Sequence, residues 1–589
     1  MRRQTDLQTK MRWRMSCLAG MLAVLMLVVS ACGGGSTSSS QATQKPYLPP
    51  LPPISGLPVA ALQGEITGLL SPDQTLQLTI GLSIDRQGLA QAAQNIYDSS
   101  SPNYGHYLTP QQIATQFGAS NAAIQKVSNW LTGLGFQIVS TSPLHTSLIV
   151  QANVLQIARA FQVALQVRTL NGRVFFGPSN APTLPSDIAP LITSITGLSD
   201  FARILHTPPH FTSNASASAP TTGQQPDVGD CTLYGVLGNV TRDQLAHAYT
   251  LDQLYKKGFR GQGMKIGVIE LGDPYSRNDV ANYAVCNGVQ LHLRNIAVDG
   301  SLAPGSGAGE AALDIEMIAG LAPDAEILDY QTPNPDEKGF LDALNQVAAD
   351  DQVQVLSISY GAGEDQFEPS YLAQLDDTLE VLAVEGISVF VASGDCAAYV
   401  DGVFGQLQVS FPASAPWAIG VGGTSFQGNK EIAWSASPPD RSQCQNTWGT
   451  GGGVSQVKAF ARPIWQTGLN VQNKSSNGNR QVPDVAAAAD NISIYYMGFW
   501  LGVGGTSAAA PIWAAGTVVV DQALQKQGKT LFGGVPTIYM LANSAGKYHP
   551  YHDITQGTNF GYNAGPGWDY TTGWGSPSFI DIAHILGGV

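Results

Sequence analysis

Charge is what this chain has least of. Only 12% of its 589 residues are Asp, Glu, Lys or Arg, and the acids outnumber the bases by 43 to 29, a formal net charge of −14. That sign gives nucleic acid no electrostatic footing, so no nucleic-acid partner is expected. Few lysines beside many carboxylates suit a protein meant for acid, where protonation relieves the negative charge. Cysteine is also sparse, at positions 17, 32, 231, 286, 396 and 444. No close pairs and no Cys/His clusters occur, which excludes the usual zinc sites. Long apolar runs are missing. The run from Leu18 to Val29 falls short of the roughly 20 residues a membrane-spanning helix needs. There are no tandem repeats.

What is present reads as globular and loop-rich: 43% hydrophobic and 8% aromatic residues, with 65 Gly and 35 Pro. The length exceeds one ordinary domain. Arg2, Arg3, Lys10, Arg12 and Arg14 precede the apolar run, so residues 1–31 read as an export signal. It ends in Val29-Ser30-Ala31-Cys32, which resembles a bacterial lipobox. Cys32 would then carry a lipid anchor, the only membrane contact expected, and hold the precursor at the cell envelope. A Ser/Gly/Pro-rich tether runs from 32 to 58. The four remaining cysteines permit two disulfides in an exported protein. Of the three pairings, 231–286 with 396–444 is preferred, and sequence does not decide among them.

Residues 59–205 have mixed character and read as a compact α+β unit. Leu76 to Ile80 and Ser147 to Gln151 are strand-like, and Ala114 to Leu134 is helical material. A linker at 206–230, rich in Pro, Ser, Thr and Ala, is the sort of segment readily cut. From 231 to 589 short apolar runs alternate with helical stretches. The runs are Lys265 to Glu270, Val353 to Ser359, Ile387 to Ala392 and Ala418 to Val421; Gly339 to Asp350 and Tyr371 to Glu385 are the helices. That alternation predicts an α/β domain with a mostly parallel sheet flanked by helices, and ligands at the carboxyl ends of its strands.

Three motifs carry chemistry. In Gly504-Gly505-Thr506-Ser507-Ala508-Ala509-Ala510-Pro511 small residues surround one serine before a helical run, with the proline expected in the first turn. A serine so placed meets the positive end of a helix, but needs a base. No His-Gly-Thr segment exists to supply one. Glu310 and Asp314 lie four residues apart, on one face of a helix, with Met317 and Leu321 continuing the stripe. Two acids held together near the interior have their pKa values driven apart, so one can act as base. Val389 to Asp395 is a strand ending in Ser-Gly-Asp, which puts Asp395 at the carboxyl end of that strand.

The Gly-Thr-Ser-Ala-x-x-Pro string resembles the nucleophile segment of subtilisin-type proteases, and Tyr97 to Pro110 resembles a hallmark of the sedolisin activation prodomain. Taken together, the motifs are similar to the sedolisin family of serine-carboxyl peptidases, and most similar to its kumamolisin-type members. The resemblance implies a subtilisin-like peptidase domain with Ser507 as nucleophile, Glu310 as general base and Asp314 as its partner. Asp395 would complete the oxyanion hole. Glu270 matches a glutamate that extends the hydrogen-bond network in kumamolisin-type enzymes, but the companion tryptophan is here Tyr360. The resemblance further implies one structural calcium ion (Ca2+), held by the carboxylates of Asp553 and Asp569 and the carbonyls of Ile554, Gly565 and Gly567. Oxygen-only ligation suits that cation, and the spacing is not that of an EF-hand.

The expected protein is thus an exported, acid-acting endopeptidase made as a self-processed zymogen. Its partners would be polypeptide substrates and its own prodomain, acting as inhibitor and folding aid; the mature enzyme would be extracellular. A catalytically silent peptide-binding lipoprotein on the same fold is the main rival, and a histidine-free esterase a further one.

Overall fold

Lys265–Leu271, Val355–Ile358, Ser388–Ala392 and Ile419–Gln427 are apolar runs with nearly every side chain buried, as strands covered on both faces must be. With Leu293–Ala297 and Glu326–Thr332 they form a parallel sheet in the order 293–297, 326–332, 265–271, 355–358, 388–392, 419–427. Val485–Ala488 pairs parallel with the 419–427 strand, and Lys430–Ala433 pairs antiparallel with it. Helices Glu310–Leu321 and Thr506–Lys526 cover one face, Glu337–Asp350 and Pro369–Val384 the other. This is the mixed α/β architecture expected. Strand order reverses between 265–271 and 355–358, whose carboxyl ends carry Glu270 and the Ser359-Tyr360 pair. Such a switch point is where α/β sheets place their sites.

The computed structural model describes residues 46–589 except 47, 205–209, 212–230, 232–237, 304, 306, 308, 401–405, 429, 437–443, 445–447, 469–470, 472–474 and 545. The export segment, Cys32 with the tether as far as 45, and the 206–230 linker apart from His210 and Phe211 lie outside the described residues. Two disulfides join Cys231 to Cys286 and Cys396 to Cys444, the pairing preferred from sequence.

Ahead of the linker, Gln137–Thr141, Ser147–Asn153, Thr75–Leu82 and Ile192–Thr196 form an antiparallel sheet in that order. Leu78, Ile80, Leu148 and Val150 of the sheet pack on Val127, Leu131, Ile157 and Phe161 of two helices. The helical stretch expected from Ala114 to Leu134 is two helices, Pro110–Gln116 and Asn121–Gly133. The chain breaks at Gly118, whose backbone lies so close to Leu144 that an added Cβ would sit 2.6 Å from the carbonyl oxygen. Ser120 then caps the second helix by accepting from the Ala123 amide.

This unit docks on the large α/β domain through the stretch from Tyr97 to Pro110 singled out in the sequence. The Tyr97 hydroxyl donates to Ala383 O at 2.7 Å and the Leu108 amide to Val384 O at 3.0 Å. Elsewhere on the interface, Thr79 donates to Asp342 at 2.8 Å and Arg86 Nε pairs with Asp377 at 2.7 Å.

Candidate active site

Gly505 makes the turn between strand Phe499–Gly504 and helix Thr506–Lys526. Its φ is +153°, and a Cβ there would stand 3.0 Å from Asp395 Oδ2, so space and backbone both demand glycine. Ser507 is the second residue of that helix, at its positive end. Pro511 is not in the first turn as expected but sixth in the helix. A proline there cannot donate to the carbonyl of Ser507. The Ser359 hydroxyl reaches that oxygen instead, at 3.3 Å.

The acid pair lies alongside. All twelve residues of helix Glu310–Leu321 are buried, so its carboxylates have no solvent face to turn to. Asp273 caps it from another segment, accepting from the amides of Glu310 and Ala311 at 3.1 and 3.2 Å. The Ser507 side chain approaches the Glu310 carboxylate closely enough to favour its charged form. One turn on, Asp314 Oδ1 accepts from the Ser359 hydroxyl at 2.8 Å. Behind them Glu270 Oε2 accepts from the Tyr360 hydroxyl at 2.7 Å. Tyr360 therefore occupies the partner position left in doubt by the missing tryptophan.

Burial drives these carboxyls upward. Desolvation is the largest cause for Glu310, Asp314 and Glu270, all raised well above the ordinary range. The repulsion of Asp314 adds to it at Glu310 and Glu270, while bonds from Ser507, Ser359 and Tyr360 pull the other way at Glu310, Asp314 and Glu270 respectively. Such a group holds its protons in common rather than one per residue. Asp395 closes the site from the far side. Its Oδ1 accepts from the Thr506 amide at 2.7 Å and the Thr506 hydroxyl at 2.8 Å. Burial pushes it up to about 6 against those two bonds.

Two further features flank this centre. His210–Phe211, the described part of the 206–230 segment, pairs antiparallel with Gly504 and Val503, directly ahead of the helix that carries Ser507. At the C-terminal end, Asp553 and Asp569 meet across one turn: the Gly567 amide donates to Asp553 Oδ2 and the Gly565 amide to Asp569 Oδ2, each at 2.9 Å. Asp569 Oδ1 also accepts from the amides of Thr571 and Thr572. Among the described residues no cluster of three or more His, Cys, Asp or Glu side chains could hold a metal. Any ion here would need backbone oxygens beside these two carboxylates.

Sequence reasoning brought Ser507, Glu310, Asp314 and Asp395 to this place but missed Asp273, Ser359 and Thr506. Ser359 and Thr506 sat inside motifs already singled out, beside Tyr360 and Ser507. Asp273 had no signal beyond following Ile269-Glu270-Leu271-Gly272 closely.

Known proteins resemble this chain over most of its length. Residues 64–201 match the family model "Pro-kumamolisin, activation domain" and residues 298–575 the "Subtilase family". The chain is 30% identical over 554 residues to kumamolisin of Bacillus sp. (strain MN-32), covering 90% of this chain and 94% of that protein. It is 26% identical to sedolisin of Pseudomonas sp. (strain 101), covering 88% and 87%. It is also 26% identical to human tripeptidyl-peptidase 1, covering 97% and 99%. Among solved structures, Pseudomonas sedolisin complexed with pseudo-iodotyrostatin superposes with a TM-score of 0.50 at 26% identity, over 62% of this chain and 99% of that one.

Proposed function

The chain belongs to the family of kumamolisin and sedolisin, serine-carboxyl peptidases with an activation prodomain, and from that membership we propose that Ser507, Glu310, Asp314 and Asp395 form the catalytic set of an acid-acting endopeptidase. Ser507 attacks the peptide carbonyl and Glu310 takes its proton, then returns it to the leaving amine. Asp314 holds and tunes Glu310. A protonated Asp395, with a backbone amide, stabilises the oxyanion. Water then hydrolyses the acyl-enzyme. The observation that supports this reading is the approach of the Ser507 side chain to the Glu310 carboxylate, close enough to lower its pKa: a serine at a helix N-terminus faces a carboxylate, not a histidine, as its base on this reading.

The protein is made, on this reading, as an exported zymogen that cuts itself. Residues 59–205 are the inhibitory prodomain, 206–230 the linker and 231–589 the peptidase. The pairing of His210–Phe211 beside Gly504 supports it, since it holds the linker close to the nucleophile. Two disulfides suit an oxidising compartment. With Cys32 lipidated, processing would release the mature enzyme from its anchor.

One calcium ion is assigned to Asp553 and Asp569, with the carbonyls of Ile554, Gly565 and Gly567. Two carboxylates tied to the glycines of a single turn suit a hard cation that takes carboxylate and carbonyl oxygens. The ion would cross-brace that turn.

The test is incubation of purified precursor at acid pH, with and without Ser507→Ala, followed by N-terminal analysis. Wild-type precursor should shorten to a product beginning between about 206 and 231 and then degrade denatured protein. Equal maturation of the Ser507→Ala precursor, with no protease added, would refute self-processing. A matured enzyme that cleaves a simple ester but no protein would refute the peptidase assignment to these residues.

A further inference from the structure

Behind Glu270 the row of buried carboxyls has one more member. Glu270 and Gln331 are register partners on adjacent parallel strands, as are Val268 and Asp329. Residues two apart on a strand share a face, so Glu270, Asp329 and Gln331 all point to the side covered by the Glu310–Leu321 helix. Glu270, Asp314 and Asp329 are fully buried. Each has one oxygen paired: Glu270 Oε2 with Tyr360, Asp314 Oδ1 with Ser359, and Asp329 Oδ2 with the Gln331 amide at 2.7 Å. Each also has one oxygen with no partner among the described residues, namely Glu270 Oε1, Asp314 Oδ2 and Asp329 Oδ1.

A buried carboxylate oxygen without a donor is costly, and only a protonated carboxyl can act as the donor between acids. Glu270, Asp314 and Asp329 each accept one bond already, so the bare oxygens need hydrogens shared within the row. Placing them on Asp314 and Asp329 leaves Glu310 free to accept from Ser507 and keeps neighbouring carboxyls from both being charged. The row alternates acceptor, acid, acceptor, acid from Glu310 to Asp329. No two anions in it are neighbours.

Building on the catalytic reading above, we propose that Asp329 is a positioning residue for the reaction. Its protonated carboxyl donates to Glu270 and keeps Glu270 an acceptor, so the proton on Asp314 remains available to Glu310. Gln331 fixes the orientation by donating to the other oxygen of Asp329.

The charged and titratable groups around Asp329 allow this. Glu270 and Asp314 face it from the neighbouring strand and from the acid-pair helix, and both feel its charge. Arg277, at the start of helix Arg277–Cys286, attracts its carboxylate, while Tyr275 is close enough to feel its charge and spends its hydroxyl hydrogen on Asn295, the register partner of Asp329. Burial dominates and pushes Asp329 up to about 8. Burial thus keeps protons within the row throughout the range in which Asp395 also holds one. At the outer end, Tyr275, Arg277, Asn295 and Gln331 line a surface cavity of about 540 Å³, which gives the row contact with solvent away from Ser507.

The experiment is the pH dependence of kcat/KM on one peptide for wild type, Asp329→Asn, Asp329→Val and Gln331→Leu, with thermal midpoints alongside. Asparagine supplies a permanent donor and should keep the acid limb where wild type has it. Valine supplies none. Glu270 must then take up a proton itself and pass the charge to Asp314, beside Glu310, so the acid limb should move up by on the order of one pH unit. Gln331→Leu, which frees the Asp329 carboxyl to turn, should move it the same way by less. A purely structural role would lower midpoints and leave the limb in place. An unmoved limb in both Asp329→Val and Gln331→Leu overturns the proposal. So does a limb displaced equally by Asn and Val, and if the Val variant does not fold, Gln331→Leu decides alone. Glu310→Gln in the same assay separates the two levels. Lost activity there with unmoved limbs overturns this inference only; retained activity overturns the catalytic reading and this inference with it.

Discussion

Tyr360 donates its phenol hydrogen to Glu270 across 2.7 Å, and both side chains are buried. A tryptophan at this place would present a ring N–H; the tyrosine presents an O–H, and the carboxylate it serves is the same. Tyr360→Phe removes the donor to Glu270 Oε2. The expected cost is about 1–3 kcal/mol, the penalty of an unsatisfied buried acceptor. Activity should also fall at the acid end, because Glu270 would take a proton to relieve itself. A thermal midpoint and a pH profile equal to wild type would show that the bond has no role.

The prodomain interface makes a separate claim. Arg86 and Asp377 are 15% and 12% exposed and 2.7 Å apart. Breaking a buried pair by removing one partner costs about 3–5 kcal/mol, because it strands the other charge. In precursor kept intact by Ser507→Ala, Arg86→Met should lower the midpoint for loss of the prodomain contact. Adding Asp377→Asn to it should restore part of that loss. A double variant no better than the single would mean that Asp377 is not the stranded charge.

For calcium, Asp553 is the cleaner probe. Asp569 accepts several hydrogen bonds of its own, so replacing it would destabilise the turn even without an ion. Chelation at neutral pH should lower the thermal midpoint of mature wild-type enzyme, since an ion bound only to the native state stabilises it by mass action. Asp553→Asn should begin lower and no longer respond to chelator. A wild-type midpoint that stays put after verified metal removal would count against the site.

Much of this was legible in the sequence because chemistry is attached to local structure. Ser507 had to follow glycines and precede helical residues, Glu310 and Asp314 had to be one turn apart, and Asp395 had to end a strand. What was not legible depends on contacts between distant segments. The position of Pro511 is tolerable because Ser359 reaches the carbonyl of Ser507, and nothing near Pro511 announces that. Asp273 caps a helix from another loop. The row extends to Asp329 only because two strands set Gln331 beside Glu270. The helix break at Gly118 was hidden by helix-like composition on either side, and is imposed by the approach of Leu144.

The acid optimum is expected to rest on Asp395. Thr506 engages one of its oxygens twice and leaves the other beside Gly505. An ionised carboxylate only accepts hydrogen bonds, whereas a protonated one donates. On the proposed mechanism the oxyanion takes a donor from Asp395, which therefore has to carry its proton. Burial raises it to about 6, which makes the donor form the major one below that pH. Above it the donor is lost and a negative charge faces the oxyanion, so kcat/KM should fall as pH rises through about 6. Asparagine has nearly the same shape and donates at any pH. Asp395→Asn should therefore retain measurable activity, with its alkaline limb displaced upward. Its maximum should drop as well, by up to the roughly 3–4 kcal/mol that one oxyanion donor is worth, because the amide must aim its N–H at the oxyanion while its oxygen still accepts from the Thr506 amide and hydroxyl. The measurement is kcat/KM against pH on one peptide for both enzymes, with folding confirmed. Alkaline limbs at the same pH would assign the acid optimum to another group.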